Sequence, residues 1–292
     1  MADSPSFVPG RIGIVGLGLI GGSFAKAYAA AGHEVYGWNR DEDTLRLALI
    51  ETIAGELDDI TLPTCELIIL AGYPEFCVRW LQENAGLISP DAIVIDVAGI
   101  KRDICERCRA IARDMPWEFC GAHPMAGTQY SGFAYSRATM FKGAPIVLVP
   151  RQDQDPVERM EFLERLKGLL APCGFKTWSV TTPEEHDRLI AYTSQLAHVV
   201  SNAYVKSPTA QRHHGFSAGS YRDLTRVAQL NADMWSELFL ENADFLSEEV
   251  GTIIRSLQEY KDAIDAGDRD RLHDLLAEGS RLKREAESRG RS

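Results

Sequence analysis

No stretch of this sequence is plainly long and apolar enough to be read as a membrane span. The most lipid-like run, Ile12 to Gly32, would suffice by length, but it is rich in glycine and carries Lys26. Strand, glycine turn and helix fit it better, and no membrane association is expected. Positive charge is also scarce. The 31 Lys and Arg against 42 Asp and Glu leave a net charge of −11. Phosphate backbones call for a basic field, so nucleic acid is not expected as a partner, and an anionic substrate would need a local basic site. Residues 1–10 (MADSPSFVPG) lack the basic segment and apolar core of a secretory signal. The six cysteines, Cys65, Cys77, Cys105, Cys108, Cys120 and Cys173, show no disulfide-like spacing. With no export signal, a reducing cytoplasm is the expected compartment. There is no internal repeat or low-complexity tract. The 45% apolar and 25% charged content over 292 residues excludes a disordered, collagen-like or coiled-coil chain and fits one large or two ordinary domains.

The first part alternates short apolar runs with amphipathic stretches. Strands are predicted at Ile12–Val15, Glu34–Trp38, Leu67–Ala71, Ile93–Val97, Phe119–Ala122, Ile146–Val149 and Lys176–Val180. Helices are predicted at Phe24–Ala31, Glu75–Leu87, Arg102–Arg113 and Val157–Leu170. Continuous apolar strands separated by helices imply a parallel sheet covered on both faces. The prolines bounding Pro145–Pro150 place that strand near a sheet edge. After Val180 no strand is apparent. Thr182-Pro183-Glu184-Glu185 is a capping box with proline at the first helical position. Asn231 is expected to cap one helix carrying Leu238, Phe245, Val250, Ile253, Ile254 and Leu257, and Gly267-Asp268 precedes a last helix. A boundary is therefore expected near residue 180, giving domains 1–180 and 181–292. The loop Pro208–Gly219, with His213 and His214, is the expected mobile segment.

Ile12-Gly13-Ile14-Val15 leads into Gly16-Leu17-Gly18-Leu19-Ile20-Gly21 and then a helix. A lone GxGxxG is weak, but between a strand and a helix it has a mechanism. Gly16 permits the tight turn, Gly18 lets the backbone approach a pyrophosphate, and Gly21 allows close packing. The expected fold is a Rossmann-type, doubly wound, mainly parallel sheet followed by an all-helical C-terminal domain. Gly16, Gly18, Leu19, Ile20 and Gly21 are the candidate dinucleotide-binding residues. The second strand ends in Trp38-Asn39-Arg40, where an acidic residue would favour NAD. Asn39 does not repel a 2′-phosphate and Arg40 can pair with one, so NADP is expected, with NAD as the alternative. Asp41 is placed to cap the next helix.

Cys120-Gly121-Ala122-His123-Pro124 puts a histidine just after a predicted strand, where ligands of doubly wound sheets bind. Neutral imidazole can accept a proton from a hydroxyl near neutral pH. The longer pattern is His123-Pro124-Met125-Ala126-Gly127-Thr128, Ser131-Gly132-Phe133 and Met140-Phe141-Lys142-Gly143. It continues with His186-Asp187, Ser194-Gln195-Leu196-Ala197-His198, Tyr221 to Ala228 and Met234-Trp235. Together these resemble the prephenate/arogenate dehydrogenase family, from about Arg11 to the helices after Trp235.

The resemblance implies hydride transfer coupled to decarboxylation in tyrosine biosynthesis, with prephenate or arogenate as substrate and a homodimer as the assembly. It makes His123 the acceptor for the substrate hydroxyl and Arg226 the grip on a substrate carboxylate. Arg222, His186 and His198 are further candidate substrate-binding residues. Arg222 and Arg226 are also readable as solvated surface charges, His186 and His198 as hydrogen-bonded core residues, and Trp235 as packing. Two departures stand out. Gly99 occupies the place of a serine usual two residues before Lys101, leaving its backbone amide as a candidate cofactor contact, and Gln129 replaces a usual glutamate. Cys105 and Cys108 form a CxxC on a predicted helix without a second ligand pair, so no metal site is expected. Little chain follows the last helix, so an appended regulatory domain is not expected.

Two other classes compete. A β-hydroxyacid-type NADP dehydrogenase shares this order of elements but typically carries a catalytic lysine on the first long helix of its second half. Here that helix offers His186 and His198, with no lysine before Lys206. A nucleotide-binding sensor without turnover would bind NADP and transform neither ring substrate.

Overall fold

The computed structural model describes residues 7–289 except Gln129, His214 and Ser217; the side chains of Gln211 and Arg289 are likewise left undescribed. The sequence features noted at Gln129 and His214 therefore lie outside the described residues. The fold opens with β1 (Ile12–Val15), α1 (Leu19–Ala30), β2 (Val35–Trp38), α2 (Glu42–Glu51) and β3 (Gly55–Glu56). It continues with β4 (Leu67–Leu70), α3 (Pro74–Asn84), β5 (Ile93–Asp96), α4 (Arg102–Ala112) and β6 (Glu118–Pro124). Strand β7 (Pro145–Val149), helix α5 (Pro156–Leu170) and strand β8 (Thr177–Val180) complete an eight-stranded sheet of order 3-2-1-4-5-6-7-8. Every pairing is parallel except β6 with β7. The proline-bounded strand β7 lies one place in from the β8 edge.

The apolar strands are buried on both faces. Ile12, Ile14, Ile69 and Ile95 pack on one side with Phe24, Phe141 and Phe162. Val15, Ile68, Leu70 and Val94 pack on the other with Trp80, Leu81 and Ile104. Continuous hydrophobic runs are what such a sheet requires. Sequence reading overlooked β3, whose two residues are too few to show a period. Its placement of Asp41 was right: the carboxylate accepts from Thr44 N at 2.8 Å.

Beyond Val180 the described chain is helical. Thr182 caps α6 (Pro183–Ile190) by accepting from Glu185 N. A π-helical stretch, Ala191–Leu196, joins α6 to α7 (Ala197–Tyr204) without a break. Then come α8 (Gly219–Thr225), α9 (Ala232–Glu241), α10 (Ala243–Asp265) and α11 (Arg269–Arg289). Within the loop expected to be mobile, Pro208–Arg212 forms a short 3₁₀ turn.

The single helix expected after Asn231 is in fact two. Asn231 does cap α9 through Met234 N, but the helix breaks at Asn242. That side chain is fully buried and donates to Asp187 O at 2.9 Å and Gln195 Oε1 at 2.8 Å. Apolar spacing alone cannot register a break made by a tertiary hydrogen bond.

Candidate active site

The glycine loop leaves β1 at the point where the sheet order reverses between β1 and β4, the usual ligand crevice of a doubly wound fold. Gly16 adopts φ +95°, and a Cβ there would lie 2.8 Å from Ala71 O. A Cβ on Gly21 would lie 1.8 Å from Gly16 O. Both positions need glycine for the backbone to close. Gly18 differs, because a Cβ there would meet nothing within 4 Å. It begins α1, which has neither a side-chain cap nor an acidic residue in its first turn. Leu19 and Ile20 open that turn, so free backbone amides face the open space, an arrangement suited to a pyrophosphate.

Asn39 supports this loop directly. Its Oδ1 accepts from Leu17 N at 3.0 Å and its Nδ2 donates to Asp41 O at 3.0 Å. Next to it, Arg40 is exposed and has no hydrogen bond or ion pair among the described residues. Gly99 follows β5, and a Cβ there would meet only Leu238 Cδ2 at 3.7 Å. The chain therefore has room at this place for the serine it lacks.

His123 lies within β6 rather than just after it, paired in register with Val147 of β7. Its Nδ1 is 2.9 Å from His186 Nε2, and His186 Nδ1 is 2.7 Å from Asp187 Oδ1. His186, expected near the substrate, is 2% exposed, and both its ring nitrogens are engaged within the protein. Burial, aided by His186 and Lys101, holds the His123 pKa well below the usual histidine range, and burial also lowers that of His186. His123 is thus a neutral imidazole at neutral pH, able to accept a proton.

Behind the histidines is a buried polar network. Asp187 Oδ1 accepts from Lys101 N at 2.7 Å and Oδ2 from Arg102 N at 2.9 Å, which ties α6 to the start of α4. Lys101 is paired with Asp96, and both are fully buried. Arg102 reaches Asp244 at 2.7 Å and Asn242 at 3.0 Å, and lies over the Phe245 ring. Sequence reading assigned no role to Asp96, Lys101, Asp187 or Asn242. The one sequence signal is a charged residue ending the apolar run Ile93-Val94-Ile95-Asp96.

A second cluster lies farther along the same helical run. His198 Nδ1 donates to Val227 O at 3.1 Å, and its ring lies 4.0 Å from that of Trp235. Ser201 donates to Leu224 O and Asn202 to Ala228 O, fixing α8 and the residues after it against α7. Arg226, at the C-terminal end of α8, is exposed and close enough to His198 to lower its pKa, although burial is the larger cause. Arg222, one turn earlier, is also exposed; neither arginine side chain has a hydrogen bond or ion pair among the described residues. The structure therefore brings His198 and Arg226 together, and His123 and His186 together, about three turns apart on one helical run. Cys105 and Cys108 are buried on α4, and no group of three potential metal ligands occurs among the described residues. Nor, among those residues, is any helix long and apolar enough to cross a membrane.

Comparison with known proteins bears on this arrangement. Residues 24–178 match the family model for the nucleotide-binding domain of prephenate dehydrogenase, and residues 182–278 match that for its dimerization domain. The prephenate dehydrogenase of Bacillus subtilis (strain 168) is 28% identical over 274 residues, covering 89% of this chain and 71% of that protein. The crystal structure of Synechocystis arogenate dehydrogenase superposes with a TM-score of 0.77 at 29% identity, covering 94% of this chain and 99% of that one. Prephenate dehydrogenase from A. aeolicus, solved in complex with hydroxyphenyl propionate and NAD+, gives a TM-score of 0.80 at 25% identity, covering 96% of this chain and 99% of that one. A Rossmann-type sheet with a helical C-terminal region, a glycine cradle at its switch point and a histidine pair at the end of β6 thus coincide with two family models, and the chain belongs to the prephenate dehydrogenase family of nicotinamide-dependent oxidoreductases.

Proposed function

We propose that this chain converts prephenate or arogenate to the corresponding aromatic product, with NADP as hydride acceptor. The observation that carries the reading is the neutral His123 near the carboxyl end of β6, at the same edge of the parallel strands as the glycine cradle that follows β1. Residues 1–180 form the cofactor domain and residues 181–292 the helical substrate and dimer domain. Gly16, Gly18, Leu19, Ile20 and Gly21 hold the pyrophosphate, Asn39 and Arg40 the adenine ribose end, and the amide of Gly99 borders the nicotinamide. When bound, the nicotinamide accepts a hydride.

His123 Nε2 accepts the proton of the substrate C4 hydroxyl as the C4–H bond gives up its hydride, leaving a ring carbonyl. The bond from C1 to its carboxylate then breaks. Carbon dioxide departs, and the electron pair passes through the ring to the oxygen, which recovers the proton from His123. Arg226 grips the side-chain carboxylate through two parallel N–H bonds, with Arg222 one turn away and His198 between the arginine and the ring. An exposed guanidinium with no side-chain hydrogen bond or ion pair among the described residues supports that assignment. The uncharged Asn39 beside the unpaired Arg40 favours NADP over NAD.

The dimer reading is supported by Leu240, Ile254, Leu257, Ile264 and Leu276, all exposed on α9, α10 and α11, and by the matched dimerization-domain model. The six cysteines are free and buried, which suits a cytoplasmic setting. The deciding experiment assays prephenate and arogenate, each with NAD and with NADP. Turnover of at least one ring substrate is expected, faster with NADP. Cofactor binding without turnover of either substrate would refute the activity.

A further inference from the structure

We infer that His186 and Asp187 are positioning residues for His123, forming a hydrogen-bonded relay that holds one imidazole tautomer and supports the charge it gains in the reaction. The inference rests on the reaction proposed above, but its geometry stands independently. Asp187 Oδ1, 2.7 Å from His186 Nδ1, is an acceptor, so that nitrogen must carry a proton and donate. In neutral His186, Nε2 is then a lone pair. It lies 2.9 Å from His123 Nδ1, which must therefore be the donor in that contact. The remaining nitrogen of His123, Nε2, is left as the lone pair, the form needed to accept a hydroxyl proton. One carboxylate thus sets the state of a ring two residues removed from it.

Asp187 is itself held in place. Its two oxygens take Lys101 N and Arg102 N at the start of α4, and its backbone carbonyl takes Asn242 Nδ2. The carboxylate is fully buried, so it cannot turn toward solvent. Its place at a helix N-terminus favours the anion. When His123 becomes an imidazolium, its burial, any charge on His186 and Lys101 all oppose the new charge. The donated Nδ1–H, through His186 to Asp187, compensates it. Other charged or titratable groups facing the relay are Asp96 at the end of β5, Arg102 and the protonated Cys105 on α4, and Glu241 on α9, whose charge couples to Asp187 and Lys101.

The test uses the full-length protein and two substitutions, His186→Leu and His186→Gln. Asp187 is not substituted, because its carboxylate also anchors α4. Activity is followed from about pH 5 to 9, a range spanning histidine titration. In parallel, nitrogen-15 NMR of labelled histidine reads the His123 tautomer without needing turnover. For His186→Leu, kcat is expected to fall about 100-fold or more with cofactor KM unchanged, a loss of the size usual for general-base help. The acid limb of kcat/KM should move, because His123 loses both the acceptor for its Nδ1–H and the neighbouring ring that acts on its charge. The NMR should show a mixture of tautomers where the wild type shows protonated Nδ1. His186→Gln, whose amide oxygen can still accept from Nδ1, should recover roughly tenfold of the lost kcat and restore the tautomer. A folded His186→Leu within about threefold of wild-type kcat would overturn the relay. So would a loss of kcat with tautomer and acid limb unmoved, which is the mark of packing alone. If the wild type transforms neither substrate, the proposed reaction fails while the NMR still decides the relay.

Discussion

Adding one methyl group at Gly18 separates cofactor binding from folding. Gly18 has φ −80° and ψ −156°, which an L residue can adopt, and its Cβ would meet nothing within 4 Å. Gly18→Ala should therefore leave stability within about 1 kcal/mol of wild type, since a compatible Gly→Ala change gains a little unfolded-state entropy and loses a little at the cap. The empty space at that Cβ is where the pyrophosphate must approach the amides of the first turn. Displacing it weakens a charge-assisted contact worth roughly 1.5–3 kcal/mol, or about 10- to 150-fold in Kd. Gly21→Ala is the control with the opposite outcome, because its Cβ would sit 1.8 Å from Gly16 O and 3.0 Å from Ala71 Cβ. That change should lower stability by about 1–3 kcal/mol or more through overpacking. Calorimetric titration with NADP and a thermal melt of each variant read the two effects. Wild-type cofactor affinity in Gly18→Ala would show that the phosphates bind elsewhere.

Other outcomes follow from the same geometry. His123→Asn should keep cofactor affinity while kcat falls by about 10²–10⁴, and unchanged turnover in a steady-state assay would remove it from the role of base. Arg226→Ala should raise substrate KM about ten- to more than a hundredfold with little change in cofactor affinity; an unchanged KM would pass the carboxylate to Arg222. Asn39→Asp keeps an acceptor for Leu17 N and adds a negative charge, so the ratio of kcat/KM for NADP over NAD should fall; a wild type that prefers NAD would refute the assignment of Arg40. Stability should fall as pH drops below about 6.5, because the unfolded chain binds protons that buried His123 and His186 refuse. The limiting slope is ~1.4 kcal/mol per pH unit for each histidine, and urea denaturation of wild type and His186→Leu between pH 5 and about 7 should show the smaller slope in the variant.

What the amino-acid order determined is local or periodic. Apolar runs of four residues specify strands buried on both faces, and the glycine pattern specifies a turn that two of its Cα positions cannot otherwise make. Asp41, Thr182 and Asn231 cap their helices through side chains a few bonds away, so their roles are readable from neighbours in sequence. The position of His123 near the carboxyl end of β6 was legible for the same reason, although the strand runs one residue past it. Contacts between distant segments decided the rest. His186 stood as a candidate substrate contact through the family resemblance, and only the tertiary structure sets it against a residue 63 positions away at 2% exposure. Asp187 reads as an ordinary helical acid until Lys101 and Arg102 deliver their amides to it from 85 or more positions away. Asn242 breaks an apparently continuous helix only because Asp187 and Gln195 lie within reach. Hydrophobic period and capping preference act over a few residues, whereas the partner of a buried polar group is chosen by the packing of the whole chain.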